Sequence, residues 1–212
     1  MEDYGIDGVF LQRFTSVSSC KPAASLGAVG GVQNGGCYYY DNISTSALAA
    51  ASRHGRAVAM MYDISGCDDP WSRTLADWAH LVQDLKITDH PRYLHHEGKP
   101  VLSVWGFGFT DRTGNASDAL AFIRTLQRGG YYIVGGIPTY WRNSTADSKP
   151  RWQEVYDALD VLSPWLSGRF RSAAEFNTGV PALPDTSAER HCPAGHAQCP
   201  GAPVCAGSPL SC

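Results

Sequence analysis

Five short runs of almost unbroken apolar character, separated by stretches with helical spacing, constrain this chain more than any other feature. The runs occupy residues 6–14, 57–63, 101–106, 131–136 and 161–165. Strands buried on both faces read this way, because neither side of the pleat meets water. The stretches between them place apolar residues three and four apart. Leu75, Trp78, Ala79, Leu81, Val82 and Leu85 form one such stripe, and Leu120, Ile123 and Leu126 form another. Helices are predicted over 44–54, stopped by Gly55, and over 72–86, with Ser72 as N-cap. Two more are predicted over 117–127, ended by Gly129-Gly130, and over 150–159, opened by Pro150. Strands alternating with helices imply βαβ units, parallel pairing and an α/β fold. Five strands fall short of an eight-stranded barrel. The pattern alone therefore leaves an open doubly wound sheet beside five-eighths of a barrel.

Two segments break the alternation. Residues 15–42 are rich in Ser, Gly and Ala without a period, which predicts a long loop or irregular insertion. Residues 172–212 are rich in Pro, Ala, Gly and Ser with few large aliphatics, which predicts a disordered tail. The expected organisation is one α/β domain over 1–171 followed by that tail. A net charge of -3 gives no electrostatic case for nucleic acid, and no Lys/Arg block marks an anionic membrane surface. The apolar runs are too short to insert across a bilayer. Met1 leads straight into Glu2, Asp3 and Tyr4, so no signal-peptide pattern is visible. Seven Cys cannot all pair within one chain, and the redox compartment is left undecided.

In parallel α/β folds the working residues gather at the C-terminal ends of the strands. Those ends read Gln12-Arg13-Phe14, then Tyr62-Asp63, then Trp105-Gly106-Phe107, then Pro138 to Arg142, then Trp165 with Arg169. Trp, Tyr and hydrogen-bonding groups dominate the set. A sugar ring presents an apolar C–H face and a rim of hydroxyls, so aromatic platforms edged by polar groups suit it. The candidate binding residues are Gln12, Asp63, Trp105, Tyr140, Trp141 and Trp165. The partner they imply is an oligosaccharide or polysaccharide, with no cofactor. Aromatic residues at strand ends also simply close a core, and Asp63 can equally cap the turn at Ile64-Ser65-Gly66.

Several other signals carry less. His95-His96-Glu97 invites a metal, but adjacent residues of an extended segment point to opposite faces, and a tight turn before the third strand is expected instead. No metal site is predicted there. Cys192, Cys199, Cys205 and Cys212 lack the tight Cys-x2-4-Cys knuckles of structural zinc sites. Three sequons, at Asn42, Asn115 and Asn143, permit glycosylation of a secreted chain. No Gly-x-Gly-x-x-Gly, P-loop or nucleophile elbow is present.

Several segments, taken in order, resemble the glycoside hydrolase family 71/99-like group. They are Tyr4-Gly5-Ile6-Asp7-Gly8-Val9-Phe10-Leu11-Gln12-Arg13-Phe14, Met61-Tyr62-Asp63-Ile64-Ser65-Gly66 and Tyr93-Leu94-His95-His96-Glu97-Gly98-Lys99-Pro100-Val101. Val104-Trp105-Gly106-Phe107-Gly108-Phe109 and Gly135-Gly136-Ile137-Pro138-Thr139-Tyr140-Trp141-Arg142 follow, and Ser163-Pro164-Trp165 through Phe170 continues the match. The likeness spans about 4–14 and 43–171. It implies a partial (β/α)8 TIM-type barrel with about five strands present. It further implies an extracellular full-length relative acting on α-linked glycans through a pair of acidic residues. No residue after Arg171 matches that acidic motif, so no catalytic residue is carried over. The expectation is a fragment inactive alone; the rivals are a non-catalytic carbohydrate-binding protein and a degenerate truncated product.

Overall fold

The computed structural model describes residues 1–18, 35–168, 171, 172 and 174. It is a mixed α/β structure built on a parallel sheet. Its strands are β1 (Gly8–Phe14), β2 (Ala57–Asp63), β3 (His95–His96), β4 (Lys99–Trp105), β5 (Tyr132–Ile137) and β6 (Val161–Pro164). The helices are α1 (Thr15–Ser18), α2 (Gly35–His54), α3 (Pro70–Gln83), α4 (Ala116–Arg128) and α5 (Gln153–Ala158). All five predicted strands form. They pair in parallel in the order β1-β2-β4-β5-β6, and β3 adds an antiparallel bridge to β4. The sheet lies wholly within one compact unit, Met1–Trp165.

Period-2 alternation assigns the faces. Met60, Tyr62, Leu102, Val104 and Ile133 are fully buried against the helices, with Trp78, Leu81, Phe122, Ile123, Leu126 and Val155. Gly135 lies on this face because a β-carbon there would meet the Leu159 side chain at 2.2 Å. The other face carries Phe10, Gln12 and Phe14 from β1 and Val161 from β6. Phe10 there keeps 45% of its surface exposed. One side of the sheet is thus a packed core, and the other is partly open.

The local chemistry explains several element ends. His95 pairs with Pro100 and His96 with Lys99, leaving a two-residue loop of Glu97 and Gly98, both at positive φ. That is the mirror-image turn a hairpin's twist favours, and it matches the turn expected there. Asn115 caps α4, its Oδ1 accepting from the Asp118 amide at 2.9 Å. Helix α3 starts two residues earlier than predicted. Pro70 opens it, so Ser72 lies within the first turn and donates to Asp69 rather than capping. Helix α5 begins only at Gln153, leaving Pro150 outside it.

The largest correction concerns 15–42. Thr15–Ser18 is helical, and α2 already begins at Gly35, nine residues before the predicted start. Tertiary contacts override composition here. Asp41 accepts from Arg13 of β1 and lies 2.9 Å from His80 of α3, fixing this end of α2 on the sheet. Ser44 and Thr45 return their hydroxyls to the Tyr40 and Asp41 carbonyls, a local pattern that serine and threonine readily adopt in helices. Residues 19–34 and most of the predicted tail, 172–212, lie outside the described residues.

Candidate functional site

The registers align one row of residues at the C-terminal rim of the sheet: Phe14, Asp63, Trp105, Gly136 and Ser163, one from each parallel strand. They share the partly open face. Gln12, two residues before Phe14, belongs to the same face of β1. The row holds one carboxylate, one indole, one phenyl ring and one hydroxyl around a glycine gap.

Asp63 is bound on both oxygens. Its Oδ1 accepts from the Ser65 amide at 2.8 Å and from the Ser65 hydroxyl. Its Oδ2 accepts from Gln12 Nε2 at 3.1 Å. The capping role weighed for Asp63 is therefore realised, and the second oxygen is held by Gln12 of the neighbouring strand. Ser65 was not singled out in the sequence, although Asp-x-Ser is the spacing of such a turn. Three donors thus fix the orientation of this carboxylate at the strand end.

Trp105 meets Trp165 edge to face, ring centroids 5.2 Å apart and planes at 83°. This is a favoured geometry for two aromatic quadrupoles. Trp165 keeps 42% of its surface exposed just beyond β6. Its amide donates to the Ile137 carbonyl at 2.9 Å, and its own carbonyl accepts from the Thr139 hydroxyl. Gly136 lies beneath Trp105. A β-carbon at that position would come 2.1 Å from the indole, so only glycine lets the ring lie there. Gly106 follows at φ 127°, with Ile64 filling the space its side chain would need. Neither glycine was identified from the pattern, although Gly135-Gly136 in the middle of a strand signals a close approach.

The remaining candidates fall apart from this pair in different ways. Tyr140 is half-buried in the turn after β5, and its carbonyl accepts from the Ser144 amide at 3.0 Å. Trp141 is 3% exposed, within the apolar core. Its ring meets Tyr156 of α5 edge to face at 5.9 Å, and Arg142 lies over it at 4.4 Å. In this position it offers a ligand almost no surface. Arg169 lies outside the described residues. Asp147 accepts from the Thr139 and Tyr140 amides at 3.4 Å, and Asp111 pairs with Arg112. His95 and His96 splay apart onto Tyr93 and Tyr132 respectively. Among the described residues, no three His, Cys, Asp or Glu side chains gather to hold a metal.

Behind the rim lies a buried ionic network that the sequence did not announce. Arg13 alternates with Gln12 and so points to the helix side, where it is 1% exposed. Its Nε and Nη2 donate to the two oxygens of Asp77 at 2.7 and 2.8 Å, and Nη2 also reaches Asp41 at 2.9 Å. Tyr62 donates to the same Asp77 at 2.5 Å. Burial opposes the Arg13 charge, but the bond to Asp77 and the nearby carboxylates outweigh it and hold the guanidinium protonated. Burial, then Asp77, pushes the Tyr62 hydroxyl well above its usual range, so it stays a donor. His80 sits between Asp41 and Asp84, 2.9 and 2.7 Å from its two nitrogens. Burial alone would lower its pKa; the two carboxylates raise it instead. The network ties β1, α2 and α3 together directly behind Gln12 and Asp63.

Comparison of the chain with family models, curated proteins and solved structures returned no significant match.

Proposed function

We propose that this chain is an arc of a (β/α)8 barrel of the glycoside hydrolase family 71/99-like type, and that it binds α-linked glycans without hydrolysing them by itself. The strand order supports the arc. An open doubly wound sheet reverses its order at a switch point, and β1-β2-β4-β5-β6 runs in sequence without reversal. Crossovers of one hand put every connecting helix on one face. The partly open face, with Phe10, Phe14 and Val161 exposed on the two edge strands, then corresponds to a barrel interior.

The observation that carries the functional reading is the continuity of Gln12, Asp63, Trp105 and Trp165 along one rim. A polar clamp beside an indole pair offers hydroxyl acceptors and a C–H platform at once. Hydrolysis of a glycosidic bond calls for two carboxyl groups set across the scissile oxygen. The rim row supplies one, and three donors already engage it. Titration calorimetry against panels of α-glucan and α-mannan oligosaccharides, with a reducing-end release assay on the same samples, tests both halves. Binding that weakens in Asp63→Ala, without product release, is expected. Product release by this chain, or no binding across either panel, refutes the proposal.

A further inference from the structure

The three sequons share one motif, yet the fold presents them very differently. Transfer of a glycan requires an enzyme to reach the Asn amide nitrogen and the hydroxyl two residues on at the same time. Asn42 and Ser44 both lie in α2, where residues i and i+2 do not face each other. Ser44 is also 1% exposed and donates to the Tyr40 carbonyl at 2.8 Å. Asn115 is committed to capping α4. Its Oδ1 accepts from the Asp118 amide, its Nδ2 donates to Asp118 Oδ2 at 2.8 Å, and Ser117 is already within the helix.

Asn143 is arranged otherwise. It sits in the turn after β5, where the Asn143 and Ser144 amides donate to the Tyr140 carbonyl at 3.3 and 3.0 Å. Ser144 takes a left-handed φ of 53°, which bends the chain back. Asn143 and Thr145 are both exposed. The Thr145 hydroxyl donates to Asn143 Oδ1 at 2.8 Å. One turn thus places the acceptor amide and its hydroxyl partner side by side at the surface, with Oδ1 accepting the bond and Nδ2 outside it.

We propose that Asn143 is the site at which the folded chain accepts an N-linked glycan, the donor being a polyprenyl-diphosphate-linked oligosaccharide. The Asn143 Nδ2 attacks C1 of the reducing-end sugar and forms the C1–N bond. The C1–O bond to the diphosphate breaks, polyprenyl diphosphate leaves with the electron pair, and the amide gives up one proton. The inference is independent of whether the strand-end rim binds sugar.

The test uses the purified full chain with an oligosaccharyltransferase and lipid-linked oligosaccharide, with occupancy read site by site by mass spectrometry. The folded chain should be modified at Asn143 and not at Asn42 or Asn115, and the urea-unfolded chain should lose that selectivity. Thr145→Ala should abolish modification at Asn143 and Thr145→Ser should retain it. Both changes lie on an exposed turn, and unchanged melting curves would show that the fold persists. A folded chain modified at Asn42 or Asn115 as readily as at Asn143, or left unmodified while the unfolded chain reacts, overturns the proposal.

Discussion

Replacing Arg13 with Met should destabilise the protein more than almost any other single change on the sheet. The side chain is 1% exposed and holds Asp77 through two parallel hydrogen bonds, with a third to Asp41. Methionine fills much of the same volume, so the loss is electrostatic rather than a cavity. Asp77, with 1% of its side chain exposed, would keep the Tyr62 hydroxyl as its neighbour but lose its counter-charge. Breaking a buried ion pair from one side costs about 3–5 kcal/mol, because the remaining charge stays desolvated. At about 2–4 °C per kcal/mol for a chain of this size, the melting temperature should fall by roughly 6–20 °C. Urea unfolding followed by circular dichroism measures the free-energy difference directly. The double variant Arg13→Met with Asp77→Leu should recover part of the loss, since it removes both charges, with a coupling of about 0.5–3 kcal/mol. A single variant within about 0.5 kcal/mol of the parent, or two purely additive changes, would refute a buried, mutually dependent network.

Other expectations follow from the same geometry. Because the His80 pKa is raised on folding, its contribution is fully present below its ordinary value near 6.5 and is lost as pH rises through the folded value. The stability advantage of the parent over His80→Gln should therefore shrink between acidic and mildly alkaline pH; an advantage that grows with pH would reverse the sign. Gly136→Ala places a methyl group against the Trp105 indole and should cost about 1–3 kcal/mol, with loss of the near-ultraviolet signal of the Trp105–Trp165 pair. An unchanged spectrum would show that the ring does not lie over that glycine. Ser65→Ala removes one donor from Asp63 and should cost about 1 kcal/mol in thermal melts, whereas an unchanged melt would mean Asp63 needs no clamp.

The strands were legible because burial on both faces leaves a run of apolar residues that little else produces, and all five formed near the expected limits. Helix α4 was legible for a similar reason, with an apolar stripe and Gly129-Gly130 marking its end, although the sequence marked its capping Asn115 only as a sequon. The start of α2 was not, because its first turns lack an apolar period and Asp41 is held by Arg13 and His80, contacts distant in sequence. The same limit applies at the site. Strand-end position pointed to Gln12, Asp63, Trp105 and Trp165, which the fold joins along one rim. Trp141 had the same composition signal and the same end of the sheet, yet its turn carries it onto Tyr156 in the core. Residue type names the aromatic; only the turn geometry decides which side of the sheet receives it.

The most direct test is tryptophan emission during titration with α-linked oligosaccharides, because Trp105 and Trp165 lie at the proposed contact. Saccharide binding at the rim predicts a saturable change in emission and an affinity about tenfold weaker in Trp105→Ala, equivalent to about 1.4 kcal/mol. Emission that stays flat with every α-linked ligand, or a titration curve that Trp105→Ala leaves unchanged, would contradict it.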